Sequence, residues 1–332
     1  MRVPAWLPLH RFRPVWEPDA QEDIPRYPPF SRGLPAASVE RVLATQRELV
    51  EQIQDALGCT DPFFRASVLP VLRRYAALVH LLPASEAHHH RGAGGLLRHG
   101  LEVAFWAARA TQGRVFAMDR TPTERRQLEP RWRLAACLAG LCHDIGKPVS
   151  DLSVVDRHGR LPWRPLQEGL VDWARAHEID RYFLRWRDAR HRRHEGFSVL
   201  VMDRVLTPEI TTWLVDPEPE IMQALLAAVA GVDDGSALTL LVAEADRASV
   251  ERDLRENRLD PDSTALGVPV ERYLLDAMRR LVRGGRWGVN VPGARVWVLV
   301  EGTFVVWRAA AAEEITALLA ADRVPWVPRD PD

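Results

Sequence analysis

A mainly α-helical fold is what three observations predict. Apolar residues recur at three- and four-residue offsets through most of the chain, turn signals such as Asp216-Pro217 and Asp233-Asp234-Gly235 separate those stretches, and β-branched, aromatic runs are confined to roughly the last fifty residues. The composition agrees: 332 residues, 47% hydrophobic and 27% charged, hold a large core and exclude extended disorder.

Residues 1–36 carry Pro4, Pro8, Pro14, Pro18, Pro25, Pro28, Pro29 and Pro35 among aromatics, which disfavours helix and predicts an extended arm. From Ala37 the offsets of Val39, Val42, Leu43, Leu49, Ile53 and Leu57 predict a helix, and a second runs from Pro62 to about Leu82. Leu96–Thr111 is apolar on almost every side, as a buried helix is. Arg131–Asp144 is also heavily apolar and ends in Ile145-Gly146-Lys147-Pro148, a glycine followed by a proline stop. Further helices are expected at about 166–187, 190–206, 219–230, 237–257 and 268–283. Arg295–Val300 and Thr303–Trp307 flank Glu301-Gly302 as a hairpin, and Ala309–Ala321 is an alanine-rich helix, together a small winged-helix-like module. The chain thus divides into an arm (1–36), a helical domain (37–283) and a hairpin-plus-helix module (284–332) whose polar, proline-containing tail fits a piece of a longer protein.

The net charge of -1 leaves the choice of partner to charge placement, and Lys147 is the only lysine beside a large arginine complement. Cys59, Cys137 and Cys142 have no paired spacing, which argues against a disulfide framework or a thiolate zinc cluster and for a reducing compartment. No apolar stretch suits a signal peptide, and Ala135–Cys142 falls far short of the roughly 20 residues a span needs. The expectation is a cytoplasmic chain without membrane insertion.

The chemistry concentrates at His143-Asp144. A carboxylate and an imidazole at the end of a buried helix must be paired with each other or bound to a metal, because desolvating them alone is costly. His99 lies among Leu96, Leu97, Leu101 and Val103, and Asp246 lies in the apolar run from Leu240 to Arg247. Two imidazole nitrogens and two carboxylates from three mainly buried helices make a ligand set suited to a divalent ion, Mn, Fe, Mg or Zn, with positions left for water and substrate.

The order His99, His143-Asp144-Ile145-Gly146-Lys147, then Asp246 in Ala245-Asp246-Arg247 resembles the HD metal-dependent phosphohydrolase superfamily. The resemblance implies an all-helical HD-domain bundle with metal on His99, His143, Asp144 and Asp246, and His194 as a further ligand ahead of His158, His177 and His191. A narrower resemblance is carried by Leu81-Leu82-Pro83, the triplet His88-His89-His90, and Gly94-Gly95-Leu96-Leu97-Arg98-His99-Gly100. Tyr27-Pro28-Pro29-Phe30, Trp163-Arg164-Pro165, Trp186-Arg187 and the terminal hairpin extend it over nearly the whole chain. These segments are similar to the N-terminal region of MobH-type conjugative relaxases, the TraI-like proteins of integrating conjugative elements. That likeness implies metal-dependent nicking of one strand of single-stranded or supercoiled DNA at a transfer origin, alongside a coupling protein and type IV secretion machinery. It also places His88, His89 and His90 over the cleft, as ligands of a second metal or as contacts to the scissile phosphate.

Lys147 is either a phosphate-stabilising cation or a surface lysine after a helix cap. Tyr27, Tyr75, Tyr182 and Tyr273 sit in no catalytic motif, so water and a covalent tyrosine both remain open as nucleophile. Arg185, Arg187, Arg190, Arg192 and Arg193 form a basic cluster for phosphates, and Arg279, Arg280, Arg283 and Arg286 form a second. Two other functions stay open: an HD phosphohydrolase acting on nucleotides or cyclic dinucleotides, and a non-catalytic DNA-binding or scaffold module with a structural metal.

Overall fold

The computed structural model describes residues 24–25, 28, 30–86, 88–187, 194–216, 219–256 and 270–321. Among these the chain is mainly helical, with two small antiparallel sheets.

Strand β1 (Leu34–Pro35) leads into α1 (Val39–Ala44), where the Ser38 hydroxyl accepts the Arg41 N–H, and then into α2 (Arg47–Leu57). The helix expected from Pro62 to Leu82 is composite: α3 (Asp61–Phe63), a wide π turn at Phe64–Val68, then α4 (Leu69–Val79). Pro70 has no N–H to return to the preceding turn, which accounts for the irregular backbone just before it. Helix α5 (Gly95–Ala110) is buried on most of its surface. Helix α6 (Pro122–Cys142) begins well before Arg131, because Thr121 and Glu124 form a reciprocal capping box ahead of it.

The short α7 (Lys147–Ser150) is followed by β2 (Leu152–Val155), α8 (Leu170–Ala176) and β3 (Arg181–Trp186). The helix expected over 166–187 is therefore helical only at Leu170–Ala176. Glu178 adopts positive φ after α8, and the aromatic run Tyr182-Phe183 then pairs as a strand rather than continuing the helical period. β3 is central, with Leu34 opposite Tyr182 on one side and Leu152 opposite Trp186 on the other.

Helices α9 (His194–Met202), α10 (Pro208–Val215), α11 (Pro219–Val229) and α12 (Ala237–Glu256) complete the main core. At its centre α5 lies against α6, and α12 packs on both. The α5–α6 approach depends on Gly140, where a Cβ would stand 2.8 Å from the Val103 carbonyl oxygen. This contact places His99 on α5 beside the C-terminal end of α6.

A second, smaller core joins Ala277 and Leu281 of α13 (Val270–Arg283), Trp287, and Val296 of β4 (Val296–Leu299) to Ala311, Ile315 and Leu319 of α14 (Ala309–Ala321). β4 pairs with β5 (Gly302–Val305), and Trp287 donates its indole N–H to Glu314 at 2.7 Å. Cys59, Cys137 and Cys142 are free thiols. Among the described residues no helix is long and apolar enough to cross a membrane.

Candidate metal centre

Four side chains from three helices converge where α5, α6 and α12 meet. His99 projects from the buried side of α5, His143 caps α6, Asp144 follows it, and Asp246 comes from α12. His99 Nε2 lies 3.3 Å from Asp144 Oδ2 and 3.2 Å from Asp246 Oδ1, and His143 Nε2 lies 3.5 and 3.7 Å from the same two atoms. Ligands each about 2.1 Å from a shared cation sit roughly 3.0–3.5 Å apart; three of these separations fall in that range, and His143–Asp246 is slightly longer. The ligand atoms of His99, His143 and Asp144 all fall within 4.8 Å of one another.

Hydrogen bonds on the far side of each ring set the tautomers. His143 Nδ1 is 2.7 Å from the Gly140 carbonyl oxygen, which can only accept, so Nδ1 carries the proton. His99 Nδ1 is 3.0 Å from the Ser249 hydroxyl oxygen, whose own proton goes to Glu102 Oε2 at 2.9 Å, so this ring is also a donor through Nδ1. In the neutral rings both Nε2 atoms thus present lone pairs to two carboxylates, and both are buried without a hydrogen-bond partner. Electron pairs facing carboxylates repel unless positive charge lies between them, and the donor set, two imidazole nitrogens with carboxylate oxygens, fits a divalent cation.

The electrostatics carry the same demand. Burial disfavours an imidazolium at His143, yet Asp144 and Asp246 outweigh it and push its pKa up to about 9, so a proton fills the place of a cation when none is bound. Burial likewise works against the Asp144 carboxylate, but Lys147, His143, His194 and His99 hold its pKa well below the usual range. The Asp246 carboxylate is held below the usual range, against burial, by the His143 and His99 imidazoles beside it.

His194 opens α9 with Nε2 3.1 Å from Asp144 Oδ1, and its Nδ1 is buried without a partner. Asp144 therefore faces His99 and His143 with one oxygen and His194 with the other. Gly146 makes this possible, since any Cβ there would collide with the His194 carbonyl. Lys147 Nζ sits 2.6 Å from Asp144 Oδ2 and donates to the Ala84 carbonyl at 3.2 Å, so the lysine is buried behind the carboxylate.

The triplet divides three ways. His88 is exposed; His89 is half-buried with its ring 5.2 Å from that of His99; His90 is buried with its ring 5.0 Å from that of His99. Burial and the neighbouring positive groups lower His89 to about 4 and His90 to about 2, which keeps both rings neutral at ordinary pH. His90 is tied to α12 through Nε2 to the Ser249 hydroxyl at 3.1 Å and its backbone N–H to Asp253 at 2.7 Å.

Of the first arginine cluster, Arg185 is exposed on β3 and Arg187 donates to the Leu152 carbonyl at 2.8 Å, while Arg190, Arg192 and Arg193 lie outside the described residues, as does His191. In the second cluster Arg279, Arg283 and Arg286 are exposed and Arg280 is half-buried. His158 and His177 are exposed. Tyr75 and Tyr182 are fully buried, with the Tyr75 hydroxyl donating to the Leu96 carbonyl at 3.2 Å, and the Tyr273 hydroxyl donates to the Pro28 carbonyl at 2.8 Å. Tyr27 lies outside the described residues.

Sequence reasoning missed Ser249 and Glu102, which orient His99. A signal was present in their spacing: each lies three residues after a ligand on the same helix, Glu102 after His99 and Ser249 after Asp246, and so shares its face.

No curated protein matches the chain. A family model named TraI_2, described as "Putative helicase", matches residues 33–332. That span takes in both cores and every residue of the centre, and the chain belongs to the TraI_2 family.

Proposed function

We propose that this chain is the relaxase domain of a conjugative DNA-transfer system and nicks one DNA strand through an HD-type, metal-dependent phosphodiesterase centre. The observation that carries the reading is the pair of Nε2 lone pairs on His99 and His143 aimed at Asp144 and Asp246, with both Nδ1 protons already committed elsewhere. These four side chains would hold a divalent cation, which would supply the positive charge that phosphodiester cleavage needs. His194, facing the second oxygen of Asp144, is the further ligand of this reading.

The chain's own groups have distinct tasks. Lys147 holds Asp144 ionised and aimed at the imidazoles. His89, neutral and half-buried over His99, is placed to accept or donate a hydrogen bond at the mouth of the centre, whereas His90 anchors the turn that carries it. Water is the nucleophile of this reading: among the described residues Tyr75, Tyr182 and Tyr273 have their hydroxyls engaged. The exposed arginines Arg185, Arg279, Arg283 and Arg286 serve phosphate contacts in this reading, as would Arg187, Arg190, Arg192 and Arg193.

Membership of a family described as a helicase does not require ATP chemistry of these residues. No Gly-x-x-x-x-Gly-Lys-Ser/Thr loop occurs in the 332 residues, and the only lysine is bound to Asp144. The coupling protein and secretion machinery of conjugation are the partners this reading implies.

The test is nicking of a supercoiled plasmid that carries a transfer origin, with Mn2+ or with chelator. Wild type is expected to convert it to open circle only with metal, His143→Ala and Asp144→Ala to lose at least about a hundredfold in rate, and His89→Ala to fall as well. Nicking that survives loss of His143 and Asp144, or turnover of nucleotides without any DNA cleavage, would overturn the proposal.

A further inference from the structure

We infer that Ser249 is a positioning residue that sets the tautomer of His99 and couples the histidine turn to the metal centre, an inference that rests on the metal-centre reading above. Ser249 is fully buried in the middle of α12, three residues after Asp246. A helical serine usually turns its hydroxyl back to a carbonyl of its own helix or outward to water. Here the oxygen meets three side chains instead: His99 Nδ1 at 3.0 Å, His90 Nε2 at 3.1 Å and Glu102 Oε2 at 2.9 Å.

The hydrogen count settles the roles. A hydroxyl has one proton and two acceptor sites. Glu102 accepts the proton as a carboxylate, so both acceptor sites take N–H groups, one from each imidazole. Glu102 is itself buried, and Arg98 donates to its other oxygen at 2.8 Å with Arg252 3.5 Å away, so the proton direction is imposed from the helix surface inward. With Nδ1 of His99 fixed as donor, Nε2 is fixed as the lone pair that faces Asp144 and Asp246. The same oxygen fixes the His90 ring, and with it the turn that holds His89 over His99. The pairs His99/Glu102 on α5 and Asp246/Ser249 on α12 each carry one ligand and one orienting group, so two helices lock each other's contribution.

Removing such an outer partner costs roughly 10- to 100-fold in metal affinity. The experiment measures the Kd for Mn2+ from loss of the free-ion electron paramagnetic resonance signal, alongside urea unfolding of the metal-free protein, for wild type, Ser249→Ala, Glu102→Gln and His99→Ala. Ser249→Ala is expected to raise Kd by about tenfold or more, and Glu102→Gln, which can return a proton to the hydroxyl, to raise it several-fold. A hydroxyl with a purely structural role would lower the unfolding midpoint and leave Kd as in wild type, which would overturn the inference. Should Ser249→Ala fail to fold, Glu102→Gln decides in the same way. Unchanged Kd in both variants with binding lost in His99→Ala defeats the role of Ser249 alone; unchanged Kd in His99→Ala defeats the metal-centre reading itself.

Discussion

The ammonium of Lys147 lies 2.6 Å from the carboxylate of Asp144, with both residues buried. The chain has 44 basic residues, and its one lysine stands here, where a compact point charge meets a single carboxylate oxygen and a carbonyl instead of the two parallel acceptors that suit a guanidinium.

Lys147→Met leaves Asp144 buried without its ammonium. Breaking a buried pair by removing one partner costs roughly 3 kcal/mol, and the metal-free variant is expected to unfold at correspondingly lower urea. A divalent ion should recover part of the loss, since it restores positive charge beside the same oxygen. Equal midpoints for wild type and variant in chelator would refute this role for the lysine.

Metal binding should depend on pH through His143. Its raised pKa contributes stability to the metal-free protein that is fully present below the ordinary value of 6.5 and is lost as pH rises through about 9. A cation must displace that proton, so Mn2+ affinity is expected to climb by about tenfold per pH unit towards pH 9 and then level off. Calorimetry in buffers of different ionisation enthalpy counts the proton directly, and binding with no proton release would contradict the assignment.

His80 is a separate source of acid lability. Its neutral ring accepts the Tyr182 hydroxyl at Nδ1 (2.9 Å) and donates from Nε2 to the Ala37 carbonyl (2.9 Å), joining α4 to β3 and to the residues before α1. Burial lowers its pKa to about 4. The unfolded chain binds the proton first, so a contribution of roughly 3 kcal/mol is present above pH 6.5 and disappears as pH falls through 4. His89 and His90 act in the same direction. His80→Gln should lower stability at neutral pH and flatten its fall between those limits by about one proton; a slope equal to that of wild type would count against it.

Gly140→Ala tests the helix contact beneath the centre. The added methyl meets the Val103 and Ala104 backbone, which cannot rotate away, so α5 and α6 must separate. A loss of about 2 kcal/mol with weakened metal binding is expected, because the shift moves His99 relative to His143. A variant as stable as wild type would mean that the helices have slack there.

Much of this centre was legible in the sequence. His99, His143, Asp144 and Asp246 stood out because charged or polar groups inside apolar helical runs have few stable fates, and the structure brings all four together with His194. The longer helices of the main core, α5, α6, α11 and α12, were readable from their periodicity, whereas α10 (Pro208–Val215) was not expected and the run from Ala37 to Leu57 divides into α1 and α2. The strand Arg181–Trp186 was not, because its aromatic run fits either period and its partners lie about 30 and 150 residues away in sequence. The burial of Lys147 was hidden too, since its place at a helix start after Gly146 reads locally as surface, and contacts distant in sequence, among them the Ala84 carbonyl, are needed to reveal it. Ser249 was silent by type; a serine in a helix acquires meaning from three partners that no local pattern reveals.

The most direct measurement is the divalent ion content of the purified protein, loaded in turn with Mn2+, Fe2+ and Zn2+, freed of unbound ion and assayed by elemental analysis. The account predicts at least about one ion per chain in wild type for one of these metals and its loss in His143→Ala and in Asp246→Ala. Equal metal content in wild type and both variants, or none in wild type with any of the three, would contradict it.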